Sequence, residues 1–332
     1  MRFAIVNSDT AIEPRGGVKQ QGYMWKIGLE KMGHIVDLID MWQSYDWDNY
    51  DAIIIFSPGM LIRKLAIHLS AYNKKLVFAP IIDPTISDWK YKFLCKWWGA
   101  YKYTLLSTRY HDMYLVKDLF KLWLVRSEQE FHYVNYCLEI PKEKIVKVPL
   151  HYRIESIFEF PKKENFCFHI SRLASPGKNV ARLIEAAKKY GFELKLAGAL
   201  GVNEKNWYDN LVGDARNIEY LGEVSDSELK SLYQRAKVFA LPSLVEGVGM
   251  VALEAAAYGC EVVLANIEGP KEYYEGRAII VDPNSIDEIG KGILKAMSEG
   301  YAQPELKSFV QKKYSEESCM RLLEQILENI ND

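Results

Sequence analysis

The stretch Pro242-Ser243-Leu244-Val245-Glu246-Gly247-Val248-Gly249-Met250-Val251-Ala252-Leu253-Glu254 decides how this chain is read. An apolar run before it, Val238–Leu241, reads as a buried strand that breaks at Pro242. A glycine-bearing loop follows, and Met250–Tyr258 reads as an Ala-rich helix. A strand, loop and helix in that order point free backbone N–H groups at an anion. Two carboxylates bracket the unit, Glu246 in the loop and Glu254 further on. At about 1.5 Å per residue they lie about 12 Å apart along the element. Amides in the middle suit a diphosphate, and a carboxylate at each end suits a hydroxyl-rich group. A sugar nucleotide has that layout.

Working outward, Ser171-Arg172-Leu173-Ala174-Ser175-Pro176-Gly177-Lys178-Asn179 forms a second strand-to-loop-to-helix junction. It places Arg172 and Lys178 just past the end of a strand, Asn165–Ser171. Arg offers a planar fork for phosphate and Lys a mobile point charge. Two cations and an amide-lined helix start would hold a diphosphate without a metal.

The remaining pattern alternates strand and helix. Phe3–Asn7, His34–Ile39, Asp51–Phe56, Lys75–Ile82, Leu122–Arg126 and Ile145–Pro149 read as strands of a first half. An amphipathic helix, Val18–Met32, is closed by Gly33. After a stretch of poor periodicity, 151–164, a second series reads as strands at Phe192–Ala197, Lys237–Leu241, Glu261–Ala265 and Ala278–Val281. Its helices read as Asn179–Tyr190, Glu204–Leu211 and Asp226–Arg235. Such alternation means doubly wound α/β sheets, which bind ligands at the carboxyl ends of their strands. The tail, Ser315–Ile330, is a helix with one apolar face at Met320, Leu323, Ile326, Leu327 and Ile330.

Composition sets the bounds. At 332 residues and 49% hydrophobic, the chain is long enough for two cores. No apolar run reaches the roughly 18 residues of a membrane span, and Met1–Val6 reads as a strand rather than a signal peptide. Five scattered cysteines without a C-x-x-C pair imply reduced thiols, a cytoplasmic setting and no structural zinc. Residues 1–150 carry 20 Lys and Arg against 16 Asp and Glu, whereas the remainder carries 22 against 28. The basic half suits an anionic partner such as lipid headgroups or phosphates, but the excess is too small for nucleic acid.

On these motifs the chain resembles a family 4 glycosyltransferase of the GT-B fold, whose members are mostly retaining. The family's marks read here as Ser171-Arg172-Leu173, Lys178-Asn179, Pro242-Ser243-Leu244-Val245-Glu246-Gly247-Val248-Gly249, and Glu246 to Glu254. Lesser marks are Leu221–Ser225, Ala257–Val263 and Val281-Asp282-Pro283; Val248 stands where the family usually has Phe. The match is strong over about 160–285 and holds only in outline before it.

The resemblance implies an architecture of two facing Rossmann-like domains with a cleft between them. Residues 1–152 would form the acceptor side and 153–314 the nucleotide-sugar domain, with 315–332 a helix crossing back to the first. It also implies roles. Arg172 and Lys178 would neutralise the donor diphosphate and stabilise the leaving nucleotide. Glu254 would bind the ribose hydroxyls, and Glu246 with the Gly247, Val248 and Gly249 amides would grip the donor sugar. The base would lie near Val224. Gly16 and Gly17 either let the first loop approach donor or acceptor closely or form a plain tight turn. Many members carry a His after the strand read here as Lys75–Ile82, where this chain has Ile82-Asp83-Pro84. Asp83 either contacts the sugar or acceptor in its place or caps the next turn, and His111, read as a loop residue, is the other candidate.

Two segments mimic other chemistry. Asp46-Trp47-Asp48 has the form of a metal-binding Asp-x-Asp but reads as a surface loop, so no metal and no cofactor are expected. Trp89-Lys90-Tyr91-Lys92-Phe93-Leu94-Cys95-Lys96-Trp97-Trp98, within a candidate membrane contact at 89–103, sets aromatics beside lysines. Trp89, Phe93 and Trp97, with Leu94 nearby, can share one helical face, as in a helix lying at a bilayer interface. A core-facing helix with solvated lysines and an acceptor-sugar platform are the alternatives.

The expected function is a metal-independent, retaining hexosyltransferase. It would use a UDP or GDP sugar and a glycan or lipid-linked acceptor, in the cytoplasm or on the inner face of the membrane. Gly269–Tyr274 with Val281-Asp282-Pro283 is similar to bacterial polysaccharide transferases, which points to cell-surface glycan assembly. A sugar-nucleotide epimerase or hydrolase of the same fold, and a non-catalytic donor-binding scaffold, are the rival readings.

Overall fold

Ala52–Phe56 is an unbroken apolar run, and its side chains alternate between two cores rather than between core and water. The computed structural model describes residues 1–7, 17–40, 42–57, 59, 61–99, 108–153, 159–299 and 301–330. The first unit is a parallel sheet of β1 (Arg2–Asn7), β2 (Ile35–Leu38), β3 (Ala52–Phe56), β4 (Leu76–Ala79), β5 (Leu122–Val125) and β6 (Ile145–Lys147). Their order is β2-β1-β3-β4-β5-β6. On one face Ile53 and Ile55 pack with Ile62, Ala66 and Leu69 of the helix Ile62–Tyr72. On the other, Ala52, Ile54 and Phe56 pack with Trp25 and Leu29 of the helix Gly17–Lys31.

That second face is completed by the C-terminal helix, Glu316–Glu328, through Cys319, Met320, Leu323 and Leu327. The helices 17–31 and 316–328 touch so closely at Gly28 that a Cβ there would lie 2.3 Å from Met320 Cγ. Lys31 Nζ reaches Glu316 Oε1 at 2.6 Å, and His34 Nε2 lies 2.6 Å from Glu324 Oε1. The first unit therefore comprises residues 1–150 and 316–332, and the second 151–315. The first boundary falls two residues before the expected 152/153. His151 and Tyr152 are buried, and the Tyr152 N–H donates to the Tyr314 carbonyl at 3.3 Å, so the stretch read as a linker starts inside the second unit.

The second unit holds β7 (Glu164–Ile170), β8 (Glu193–Ala197), β9 (Ile218–Tyr220), β10 (Ala236–Leu241), β11 (Glu261–Ala265) and β12 (Ile279–Val281), all parallel. Sheet order is β12-β11-β10-β7-β8-β9. β9 has no counterpart among the expected strands, because its three residues are half-buried or exposed and present no apolar run. From β7 the chain winds outward through β8 to β9, then returns to β10 and winds the other way. The winding reverses between β7 and β10. A crevice opens at the carboxyl ends of two strands with such a reversal between them, and ligands of open α/β sheets bind there.

Candidate functional site

Both motifs leave the sheet at that reversal. β7 ends at Ile170 and runs into Ser171, Arg172 and the short turn Pro176–Lys178. β10 ends at Leu241 and runs into Pro242–Gly249. The two loops are stitched together: the Leu244 and Val245 N–H groups both donate to the Gly177 carbonyl, at 2.8 and 3.3 Å. Asn179, held at a left-handed φ of 59°, donates through Nδ2 to the carbonyls of Pro242 and Pro283, at 2.9 and 2.7 Å. One amide thus ties together the loops after β7, β10 and β12.

The same stitching brings Lys178 to Glu246. Their charged atoms are 2.7 Å apart, and the Ser243 hydroxyl also donates to Glu246 at 3.3 Å. Lys178 and Glu246 are each part-exposed, at 30% and 16% of the side chain, so the pair faces the open edge of the sheet. Arg172 is exposed and, among the described residues, forms no ion pair. The helix Met250–Ala257 starts at Gly249, whose φ of 74° suits glycine, and no side chain caps its first amides. Two cations and uncapped amides on the same edge are what a diphosphate requires. The Val248 side chain is buried, which leaves the backbone as its means of contact. Val224, in the loop after β9, is half-buried, and that loop is bonded to the one after β8 by the Gly198 N–H donating to Gly222 at 2.8 Å.

Glu254 is 2% exposed, and both of its oxygens have donors. Arg153 Nε approaches Oε1 at 3.2 Å, and the Tyr233 hydroxyl donates to Oε2 at 3.1 Å. Arg153 Nη1 also reaches Asp226 at 2.9 Å. Burial pushes the Glu254 carboxyl up from its ordinary value, while Arg153 and Tyr233 pull it back toward the charged form. Sequence reasoning missed Arg153. It lies in the stretch read as a linker, 101 positions from its partner, and no local pattern marks it.

The first-unit candidates stand differently. Gly16 lies outside the described residues, and Gly17 is the first residue of the helix Gly17–Lys31. Asp83 accepts from Arg126 Nη2 at 2.7 Å instead of capping the following turn. Arg126 in turn reaches the buried Glu130 at 3.0 Å, so Asp83 is anchored, with 43% of its side chain exposed. His111 is in a helix, Arg109–Leu115, not a loop: the Thr108 side chain accepts from the His111 N–H and starts the helix. Its Nδ1 lies 2.8 Å from the Cys95 carbonyl. Asp46 accepts from Asn49, and no cluster of three potential metal ligands occurs among the described residues. The aromatic segment is a helix, Asp88–Trp97, that buries Tyr91 and Cys95 and leaves Trp89, Phe93 and Trp97 at 61, 49 and 67% exposure.

Two all-parallel Rossmann-like units of this kind define a GT-B fold. Solved structures share it over nearly the whole chain. Sucrose-phosphate synthase from Thermosynechococcus elongatus matches at a TM-score of 0.77 with 15% identity, covering 99% of each chain. Anabaena HepE, solved in complex with UDP and glucose, matches at 0.73 with 14% identity, covering 99% of this chain and all of that one. Residues 153–316 match the family model of "Glycosyl transferases group 1". That segment is of the group 1, family-4-like glycosyltransferase type.

Among curated relatives, O-antigen chain mannosyltransferase B of Escherichia coli is 30% identical over 132 residues, 37% of this chain and 35% of that protein. The uncharacterized glycosyltransferase MJ1178 of Methanocaldococcus jannaschii is 29% identical over 167 residues, 47% of this chain and 46% of that one. The chain spans less than half the length of these two relatives.

Proposed function

We propose that the chain transfers a hexose, with retention and without a metal, from a UDP or GDP sugar to a glycan or lipid-linked acceptor in cell-surface polysaccharide assembly. The observation that carries this reading is the Lys178–Glu246 pair, 2.7 Å apart at the winding reversal beside an uncapped helix start. Relatives named as O-antigen mannosyltransferases in Escherichia coli and Salmonella typhimurium support the pathway and favour mannose. HepE bound to UDP and glucose supports the donor class.

The chemistry follows from these groups. With a donor bound, Lys178 and Arg172 face the diphosphate, and the amides after Gly249 take a share of its charge. Glu246 accepts hydroxyls of the sugar, and Glu254 accepts those of the ribose. The bond from the anomeric carbon to the phosphate oxygen breaks, and the acceptor oxygen bonds to that carbon on the same face. The acceptor proton passes to the departing phosphate oxygen, so no strong protein base is required. Cations at the phosphate stabilise the charge that develops there, which lowers the barrier. Asp83, anchored by Arg126, is the group proposed to contact sugar or acceptor where related enzymes carry His.

The helix Asp88–Trp97 supplies the membrane part of the reading. Trp89, Phe93 and Trp97 are exposed together, with Lys90 at 5.4 Å from the Trp89 ring. An apolar face with lysines on its flank suits an anionic lipid surface, where a lipid-linked acceptor resides. No helix among the described residues is long and apolar enough to cross a membrane.

The test is a thermal-shift panel of UDP, GDP, ADP, CMP and dTDP on the wild type and on Lys178→Ala. A ligand at about 100 times its Kd adds about 2.7 kcal/mol, a shift of a few degrees. UDP or GDP should shift the wild type and lose most of that effect in the variant. An unshifted wild type, or a variant shifted as strongly, would sink the donor-site reading. Full-rate turnover of donor without acceptor would favour a hydrolase or epimerase instead.

A further inference from the structure

The donor reading gives no role to Arg153, the guanidinium in contact with Glu254. Arg153 comes from the segment that enters β7, yet its guanidinium reaches across to the ribose-side carboxylate, with Nε 3.2 Å from Glu254 Oε1. It is itself steadied by Asp226, 2.9 Å from Nη1. Tyr233, from the same helix as Asp226, holds the other carboxylate oxygen at 3.1 Å, and Cys260 lies beside Tyr233.

We propose that Arg153 is the positioning residue of the ribose subsite, holding the Glu254 carboxylate charged and in one orientation so that it can accept both ribose hydroxyls. This rests on the donor reading above.

Burial, acceptor capacity and charge each call for a cation at Glu254. An almost fully buried carboxylate is strongly disfavoured in its charged form unless a cation and hydrogen-bond donors compensate it. Arg153 is the cation in contact with Glu254, and 27% of its own side chain is exposed, so part of its charge remains solvated. Second, a protonated carboxyl has one oxygen that donates rather than accepts, so it cannot take two ribose hydroxyls in the same way. Third, burial already raises the Glu254 carboxyl, and Arg153 opposes the rise through its guanidinium and its backbone N–H. Without the guanidinium, the carboxyl takes up a proton at higher pH. Arg153 need not touch the ribose to do this; it acts through Glu254.

A purely structural Arg153 would weaken every nucleotide alike, so the test uses ligands that differ only at the ribose. Affinities for UDP and GDP are compared with those for dUDP and dGDP, by calorimetry from pH 6 to 8.5. The proteins are wild type, Arg153→Gln, Arg153→Lys and Glu254→Gln. The wild type should prefer the ribonucleotide by about tenfold, the worth of a hydrogen bond to a charged group. Arg153→Gln should lose that preference at low pH and regain part of it as pH rises. Arg153→Lys should keep most of it, and Glu254→Gln should lose it at every pH.

An Arg153→Gln protein that keeps the wild-type preference throughout, or that loses ribo and deoxy affinity in equal measure, overturns the proposal while the donor site stands. A Glu254→Gln protein that keeps the preference, or a wild type that binds none of the four nucleotides, overturns the donor assignment and the role of Arg153 together.

Discussion

Acid should weaken the second unit through one residue, His169. It sits on β7, fully buried, with Nδ1 2.8 Å from the Ala240 carbonyl and Nε2 2.7 Å from the Ser171 hydroxyl. In the neutral ring, Nδ1–H donates to Ala240 and Nε2 accepts from Ser171. Burial draws its pKa down from 6.5 to about 4; the Ala240 carbonyl opposes this, and the positive charge of Lys178 adds to it. Between those values the unfolded chain binds a proton that the folded one refuses. Stability therefore rises with pH across that window and is lost as pH falls from 6.5 toward 4. At about 1.4 kcal/mol per pH unit, the loss attributable to this ring is about 3 kcal/mol.

The assay is urea unfolding of the wild type and His169→Asn at several pH values from 7.5 to 4. Other groups titrate in both proteins, so the difference between the two isolates His169. The advantage of the wild type should shrink by about 3 kcal/mol over that range, or the variant should overtake it. A difference that stays constant with pH, or an NMR titration of His169 centred near 6.5, would refute the reasoning.

Three further outcomes follow. Leu323→Ala, at a fully buried position of the C-terminal helix, should destabilise the first unit by about 2–5 kcal/mol in thermal melts, with nucleotide affinity unchanged. Arg126→Met should cost about 3–5 kcal/mol in chemical unfolding, because Glu130, 1% exposed, loses its cation. Adding Glu130→Met should restore part of that loss; no recovery would mean that Arg126 acts by another route. Gly249→Ala forces a Cβ into a left-handed turn and to 3.0 Å from Leu241 Cδ2. It should lower stability by about 1–2 kcal/mol and weaken nucleotide binding in the thermal-shift panel.

What the sequence showed and hid has a common cause. Lys178 and Glu246 were readable because each lies in the loop that leaves a strand, and adjacent parallel strands β7 and β10 bring those loops together. The run Ala52–Phe56 was readable because a strand covered on both faces needs no polar alternation. Arg153 and the Arg126–Asp83 pair were not, since each joins residues far apart in the chain, and a lone arginine carries no periodic signal. Thr108 starts the helix that holds His111 through one side-chain bond, and a helix of seven residues offers too short a stretch for an apolar period to show. The short β9 gains its place from pairing with β8, not from its own apolar content.

The C-terminal helix has a consequence for synthesis. Cys319, Met320, Leu323 and Leu327 complete a core begun by Phe3, Trp25 and Ile54, yet they emerge from the ribosome only after the whole second unit, roughly 165 residues later. At about 5–20 residues per second, the opening half waits about 8–33 seconds with that apolar face uncovered. The second unit is contiguous in sequence and can finish before the first, although it is translated later. A nascent chain stalled before Glu316 should present that bare face to a chaperone.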